Sequence, residues 1–156
     1  MLSGHGELAE ADSKEFELAD RRGDLGVSSS VSVARTPAIA AKGLSARRDA
    51  HAQSCLSHYL SRAVAAPGSG VSMRGLSVSS EKAKLPGTSG GIVLRTTANV
   101  AQGGKPLPIS LDVYGFVCGQ AQIGLFTTSL PVSFPPKARQ RLLAMLLARA
   151  KAHGEC

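Results

Sequence analysis

The chain has 156 residues, enough for one domain with a substantial core. Apolar residues make up 43% and aromatics only 4%, with no Trp, so the composition excludes a disordered chain and leaves Leu, Val, Ile and Ala to build the core. The formal net charge is +7, but the bases are scattered with few aromatics between them, which argues against a nucleic-acid groove and for plain surface solvation.

The charge is unevenly divided. Residues 1–26 hold seven acids and three bases, net −4, and the remaining 130 residues hold four acids and fifteen bases, net +11. The expected organisation is an acidic arm over 1–26, a single α+β domain over 27–152 and a short tail over 153–156. No run of about 18 apolar residues exists, so no transmembrane helix is encoded. The start, MLSGHGELAEADSK, lacks the basic and apolar regions of a signal peptide. Either the protein works in the cytoplasm or the chain begins downstream of an export signal.

In chain order, Ser3–Ala9 and Glu15–Leu18 read as short edge strands or as disordered arm. Val27–Ala34 alternates Val31 and Val33 with serines, the pattern of a half-exposed strand. Thr36-Pro37 marks a helix start, with Thr at the N-cap and Pro where its missing N–H costs nothing. The predicted helix runs from Pro37 to about Val64, with Ala40, Leu44, Ala52, Leu56, Leu60 and Ala63 on its apolar side. The run from Ala65 through Pro67 to Gly70 stops it. Val71–Ser79 is the next strand, and a change of phase at Gly75 suggests a β-bulge.

Glu81 to Gly91 reads as a loop. Gly91–Ala101 is rich in β-branched residues, and a turn at Gln102–Pro108 leads to Ile109–Val117, which alternates well. Cys118-Gly119-Gln120 makes a tight connection to the last strand, Ala121–Ser129. Pro136 opens the final helix, with Leu142, Leu143, Leu146, Leu147 and Ala150 as its stripe and Gly154 at its C′ position. Short turns between the strands favour antiparallel pairing. The predicted fold is α+β: an antiparallel sheet of four to six strands, with a long helix from the N-terminal half and a C-terminal helix packed on one face.

Several short runs resemble a known group. They are Cys55-Leu56-Ser57, Leu111-Asp112-Val113-Tyr114, Ile123 to Ser129, Phe134-Pro135-Pro136 and Arg141-Leu142-Leu143-Ala144. Together they resemble secreted or lipoprotein-anchored domains of high-GC actinobacteria with a PsbP/Mog1-like α+β architecture, over roughly residues 27–152. The resemblance implies export, with tethering by an N-terminal lipid, although the chain carries no leader or lipobox cysteine. It assigns no chemistry to any residue.

His51, Cys55 and His58 are spaced i, i+4 and i+7 on one helix, a face that could present ligands to zinc or copper. The competing reading is a small packed thiol flanked by histidines at the helix edge. In an exported protein, Cys55 and Cys118 could form a disulfide if their Cα atoms lie within bonding range, with Cys156 left over; the alternative is two separate buried thiols. A nucleophilic Cys118 with a helix histidine lacks an orienting residue, and no G-x-S-x-G elbow occurs.

Gly103-Gly104-Lys105 lacks phosphate-loop spacing and reads as a hairpin turn. Asp112 belongs on the outer face beside Ser110 and Tyr114, or paired with Arg95. No cofactor motif is present. The favoured function is a non-enzymatic, envelope-associated binding module. Tyr114 and Phe116, opposite Val113 and Val117, form its contact surface if helices cover only the valine face. The partner would be another protein, a second copy of the chain, or a small apolar ligand. The alternatives are a small hydrolase or isomerase with a site between sheet and helix, marked by convergence of His51 or His58 with Cys118 and Asp112, and an electrostatic nucleic-acid binder using Arg47, Arg48, Arg139 and Arg149.

Overall fold

A computed structural model describes residues 7–64, 71–85, 87–102 and 105–153. The elements are β1 (Glu7–Asp12), β2 (Phe16–Asp20), β3 (Gly23–Ala34), α1 (Pro37–Ala46), α2 (Ala50–Val64), β4 (Val71–Ala83), β5 (Gly90–Gln102), β6 (Leu107–Cys118), β7 (Ala121–Leu130) and α3 (Pro136–Ala152). The expected turn at Gly103-Gly104, the helix stop over 65–70, the Gly154 cap and Cys156 lie outside the described residues.

The strands form one antiparallel sheet of seven, in the order β1-β3-β7-β6-β5-β4, with β2 also paired to β3. The predicted four to six strands are thus exceeded, because the acidic arm adds two edge strands. β1 pairs with the second half of β3 and β2 with its first half. β4 to β7 form a meander, and β3 and β4 run the same way at a distance of four strand positions. The chain therefore crosses the sheet between them, and α1 and α2 make that crossing.

Local signals account for most of the boundaries. The Thr36 hydroxyl accepts the Ile39 N–H at 3.2 Å, with Pro37 in the first turn of α1. The bulge expected at Gly75 is present: the β4–β5 register shifts between Arg74 and Ser77, and Gly75 has φ +64°. The long helix predicted from Pro37 to Val64 is instead two helices broken over 47–49. Asp49 is the reason: its carboxylate accepts the His51 N–H at 2.8 Å and caps a new helix at Ala50.

The helices cover both faces of the sheet, not one. Ala40 and Leu44 of α1 pack with Ala34, Ile92 and Val117. Leu143 and Ala150 of α3 pack with Val93, Tyr114, Phe116, Ile123 and Leu125, whose side chains leave the opposite side of the pleat. α2 lies with α1, over β4. Tyr114 is accordingly 6% exposed and Phe116 fully buried, so the expected contact surface is core beneath α3. The large apolar side chains at the surface lie elsewhere, notably Phe16 and Leu18 of β2, which are 68% and 60% exposed.

Candidate functional site

An apolar concavity with polar groups around it lies beneath the C-terminal half of α3. It is a cleft of about 420 Å³ with Val31, Val33, Ile123 and Leu146 among its walls. Each wall follows from a local pattern. Val31 and Val33 sit opposite Ala11 and Ala9 of β1, so the outer strand presents only methyl groups on this face. Val31 pairs with Ile123 on the other side. Leu146 and Ala150 come from the leucine stripe of α3, and Ala150 is buried. The small residues Ala11, Ala121 and Ala150 leave the space that larger side chains would fill.

Polar groups close the ends. Asp12, Arg149 and His153 line the cleft with exposed side chains. Ser13 is held in place by β3: its hydroxyl oxygen accepts the Ser29 N–H at 2.8 Å, and its own N–H donates to the Ser29 carbonyl at 2.8 Å. The Ser13 hydroxyl proton goes to the Lys14 carbonyl at 3.0 Å. Ser13, Asp12 and His153 thus border one cleft without a hydrogen-bonded relay between them among the described residues. A serine nucleophile needs a base within hydrogen-bond reach, and the Ser13 hydroxyl proton goes to a backbone carbonyl instead.

A second polar group of residues lies nearer the N-terminus of α3. The Tyr114 hydroxyl donates to Asp112 Oδ2 at 2.9 Å, and the Arg139 guanidinium lies 5.2 Å from the Tyr114 ring centroid. Burial and then the Asp112 carboxylate push the Tyr114 phenol above its ordinary value, so it is a proton donor at neutral pH. Arg95 sits opposite Asp112 in the register but forms its ion pair with Glu81 at 3.0 Å. Asp112 is half-buried on the α3 face with a tyrosine partner, rather than on an open outer face.

The other expected constellations are not assembled. His51, Cys55 and His58 are all exposed on α2, and no group of three metal-ligating side chains forms among the described residues. All three project from one exposed helix face, and no metal-ligating side chain from another element joins them among the described residues. Cys55 is a free thiol and Cys118 is disulfide-bonded, so the two are not paired with each other. Cys55 faces solvent on the α2 side of the sheet, while Cys118 belongs to the core under α3.

That same separation keeps His51 and His58 away from Cys118 and Asp112, so the convergence that would mark a hydrolase is missing. The arginines proposed as one basic face are likewise divided. Arg47 and Arg48 follow α1, whereas Arg139 and Arg149 are on α3 across the sheet. Comparison with protein families, curated proteins and solved structures finds no match to the chain.

Of the cleft residues, Val31, Val33 and the α3 stripe were visible in the pattern. Ala11 and His153 were not singled out, and Arg149 was named only for a nucleic-acid face. The alternation of Ala9 and Ala11 with Glu10 and Asp12 was the available signal, since it makes β1 a strand with one apolar face.

Proposed function

We propose that the chain is a non-enzymatic, envelope-associated binding module that holds a small amphiphilic molecule in the cleft under α3. The carrying observation is the cleft itself: an apolar space of about 420 Å³ bordered by Arg149 and His153, without a relay to activate Ser13. That volume falls within the ordinary range of small-molecule sites. The apolar body of the ligand lies along Val31, Val33, Ile123 and Leu146, and an acidic head meets Arg149. The disulfide at Cys118 supports an oxidising compartment, which agrees with the export implied by the actinobacterial resemblance.

Each buried methylene contributes about 0.8 kcal/mol, roughly a fourfold change in affinity. Titration with straight-chain carboxylates from hexanoate to decanoate should show one saturable site that tightens about fourfold per added methylene. Ala11→Phe, which places a ring in the cleft from an exposed position, should abolish binding while leaving the melting temperature unchanged. Affinity that does not depend on chain length, or survives Ala11→Phe, would refute the reading.

A further inference from the structure

The opposite face of the sheet carries a second concavity, formed where α1 ends and α2 turns away toward β4. Its volume is about 340 Å³ and its floor is apolar, with Leu44, Ile92 and Val117. Its charged side chains are Arg48, Lys82 and Lys84, and no acidic residue lines it among the described residues. None of the three cations forms an ion pair among the described residues.

Register and hydrogen bonds bring these cations together. Lys82 pairs with Ile92, so its side chain leaves the face that carries Ile92 and Val117. Lys84, two residues on, follows the same alternation, while Ala83 and Leu85 turn toward the core under α3. Arg48 is fixed through its backbone. Its N–H donates to the Ser45 carbonyl at 3.0 Å, and its carbonyl accepts from Gln53 Nε2 at 3.0 Å. The same Gln53 nitrogen donates to Ser80 Oγ of β4 at 2.8 Å, so the α1–α2 corner is tied to the strand that carries Lys82.

Two features point to an anionic ligand. The first is Arg48 Nε, which is buried and has no hydrogen-bond partner among the described residues. A buried unsatisfied donor costs about 1–3 kcal/mol, and the pocket beside it offers no carboxylate. An oxyanion that draws the guanidinium inward relieves that cost and lowers the mutual repulsion of the three cations. The second is Gly90. A side chain at Gly90 would meet nothing within 4 Å, and its φ is not in the left-handed region. By alternation with Ile92 that open space faces the pocket.

The Ser45 and Ser89 hydroxyls donate to the Lys42 and Val117 carbonyls at 2.9 and 3.2 Å, so the cations are the donors left for a ligand. Three cations without an acid match a dianion better than a monoanion, and a guanidinium matches the oxygens of a phosphate. The apolar floor and the remaining volume suit an organic substituent.

We propose that this pocket binds a small phosphomonoester, with the phosphate on Arg48, Lys82 and Lys84 and the organic part over Ile92 and Val117. It is a site separate from the cleft under α3 and does not depend on it.

Calorimetric titration of the full chain, disulfide intact, tests this with phenyl phosphate, inorganic phosphate and benzoate. Phenyl phosphate should bind at one site, about tenfold or more tighter than either of the others, and weaken as salt is raised. Arg48→Gln and Lys82→Gln should each weaken it about tenfold. Gly90→Glu should abolish binding without lowering the melting temperature. Lys137→Gln, on α3 across the sheet, should leave it unchanged.

Sedimentation with phosphatidic acid vesicles separates the two sources of a phosphomonoester. Vesicle binding without phenyl phosphate binding would overturn the proposal in favour of a lipid surface. Equal affinity for benzoate, or phenyl phosphate affinity retained in Gly90→Glu, would overturn it as well. Decanoate binding should persist in Gly90→Glu, so failure at one site is distinguishable from failure at the other.

Discussion

Removing one oxygen from Tyr114 isolates the polar contact that borders the α3 core. In Tyr114→Phe the ring remains, so its packing and the Arg139 contact at 5.2 Å remain with it. Only the 2.9 Å hydrogen bond to Asp112 is lost. A hydrogen bond to a charged acceptor is worth about 1.5–3 kcal/mol. Asp112 is half-buried, and water can take up much of the lost role, so about 1 kcal/mol is the expected destabilisation. For a chain of this size that lowers the melting temperature by about 2–4 °C.

The pH dependence is more diagnostic. The folded chain holds the Tyr114 proton more tightly than the unfolded chain, whose phenol has the ordinary value of 10.0. The contribution of the protonated phenol is therefore complete below about pH 10 and is lost as pH rises through the higher folded value. Lysines also titrate there, so the informative quantity is the difference between wild type and Tyr114→Phe. Urea unfolding at pH 7 to 11 should show that difference constant up to about pH 10 and shrinking above it. Equal stability at pH 7 together with parallel pH profiles would refute both the hydrogen bond and the burial.

The remaining predictions concern the core, one turn and the cysteines. Phe116→Ala should cost about 3–5 kcal/mol, whereas Phe16→Ala on the exposed edge should change stability by about 0.5 kcal/mol or less; denaturant midpoints decide between them. Gly75→Ala should cost about 1–2 kcal/mol, because Ala is strained at φ +64° whatever space surrounds it. Maleimide treatment under non-reducing conditions should modify Cys55 and leave Cys118 untouched, as peptide mass mapping will show, and the melting temperature should not move on modification.

The sequence made the elements visible wherever a local rule acted alone. Thr36-Pro37, the phase change at Gly75, the Gly119-Gln120 turn and the leucine stripe of α3 each predict a feature the fold contains. What stayed hidden depended on partners distant in the chain. The arm reads as edge strands or as disordered, and what decides for strands is the outer edge of β3, which pairs with β1 along its second half and with β2 along its first. The burial of Phe116 turned on whether a helix lay over its face. The apolar spacing on both sides of Asp49 suggested one continuous helix, and the cap it forms with the His51 N–H breaks that helix. Of the cleft, the valines and leucines were readable as apolar faces, while Arg149 and His153 acquire a role only once α3 is laid across β3.

The break over 47–49 connects the topology to the second site. β3 and β4 run in parallel four strand spacings apart, about 19 Å at about 4.8 Å each. A single straight helix returning along the sheet could not also take the chain that far sideways. α1 packs over β3, β5, β6 and β7, and α2 packs over β4, so the corner between them must step across the sheet. Such a corner leaves part of the sheet uncovered. It falls over the start of β5, where Gly90 adds no side chain to fill the space. Arg48 stands at this corner because Asp49 begins α2 one residue later, and Gln53 then ties the corner to β4. The crossover that the strand order demands is therefore what places a guanidinium beside Lys82 and Lys84. A continuous helix would have left those lysines as ordinary solvated charges at a sheet edge.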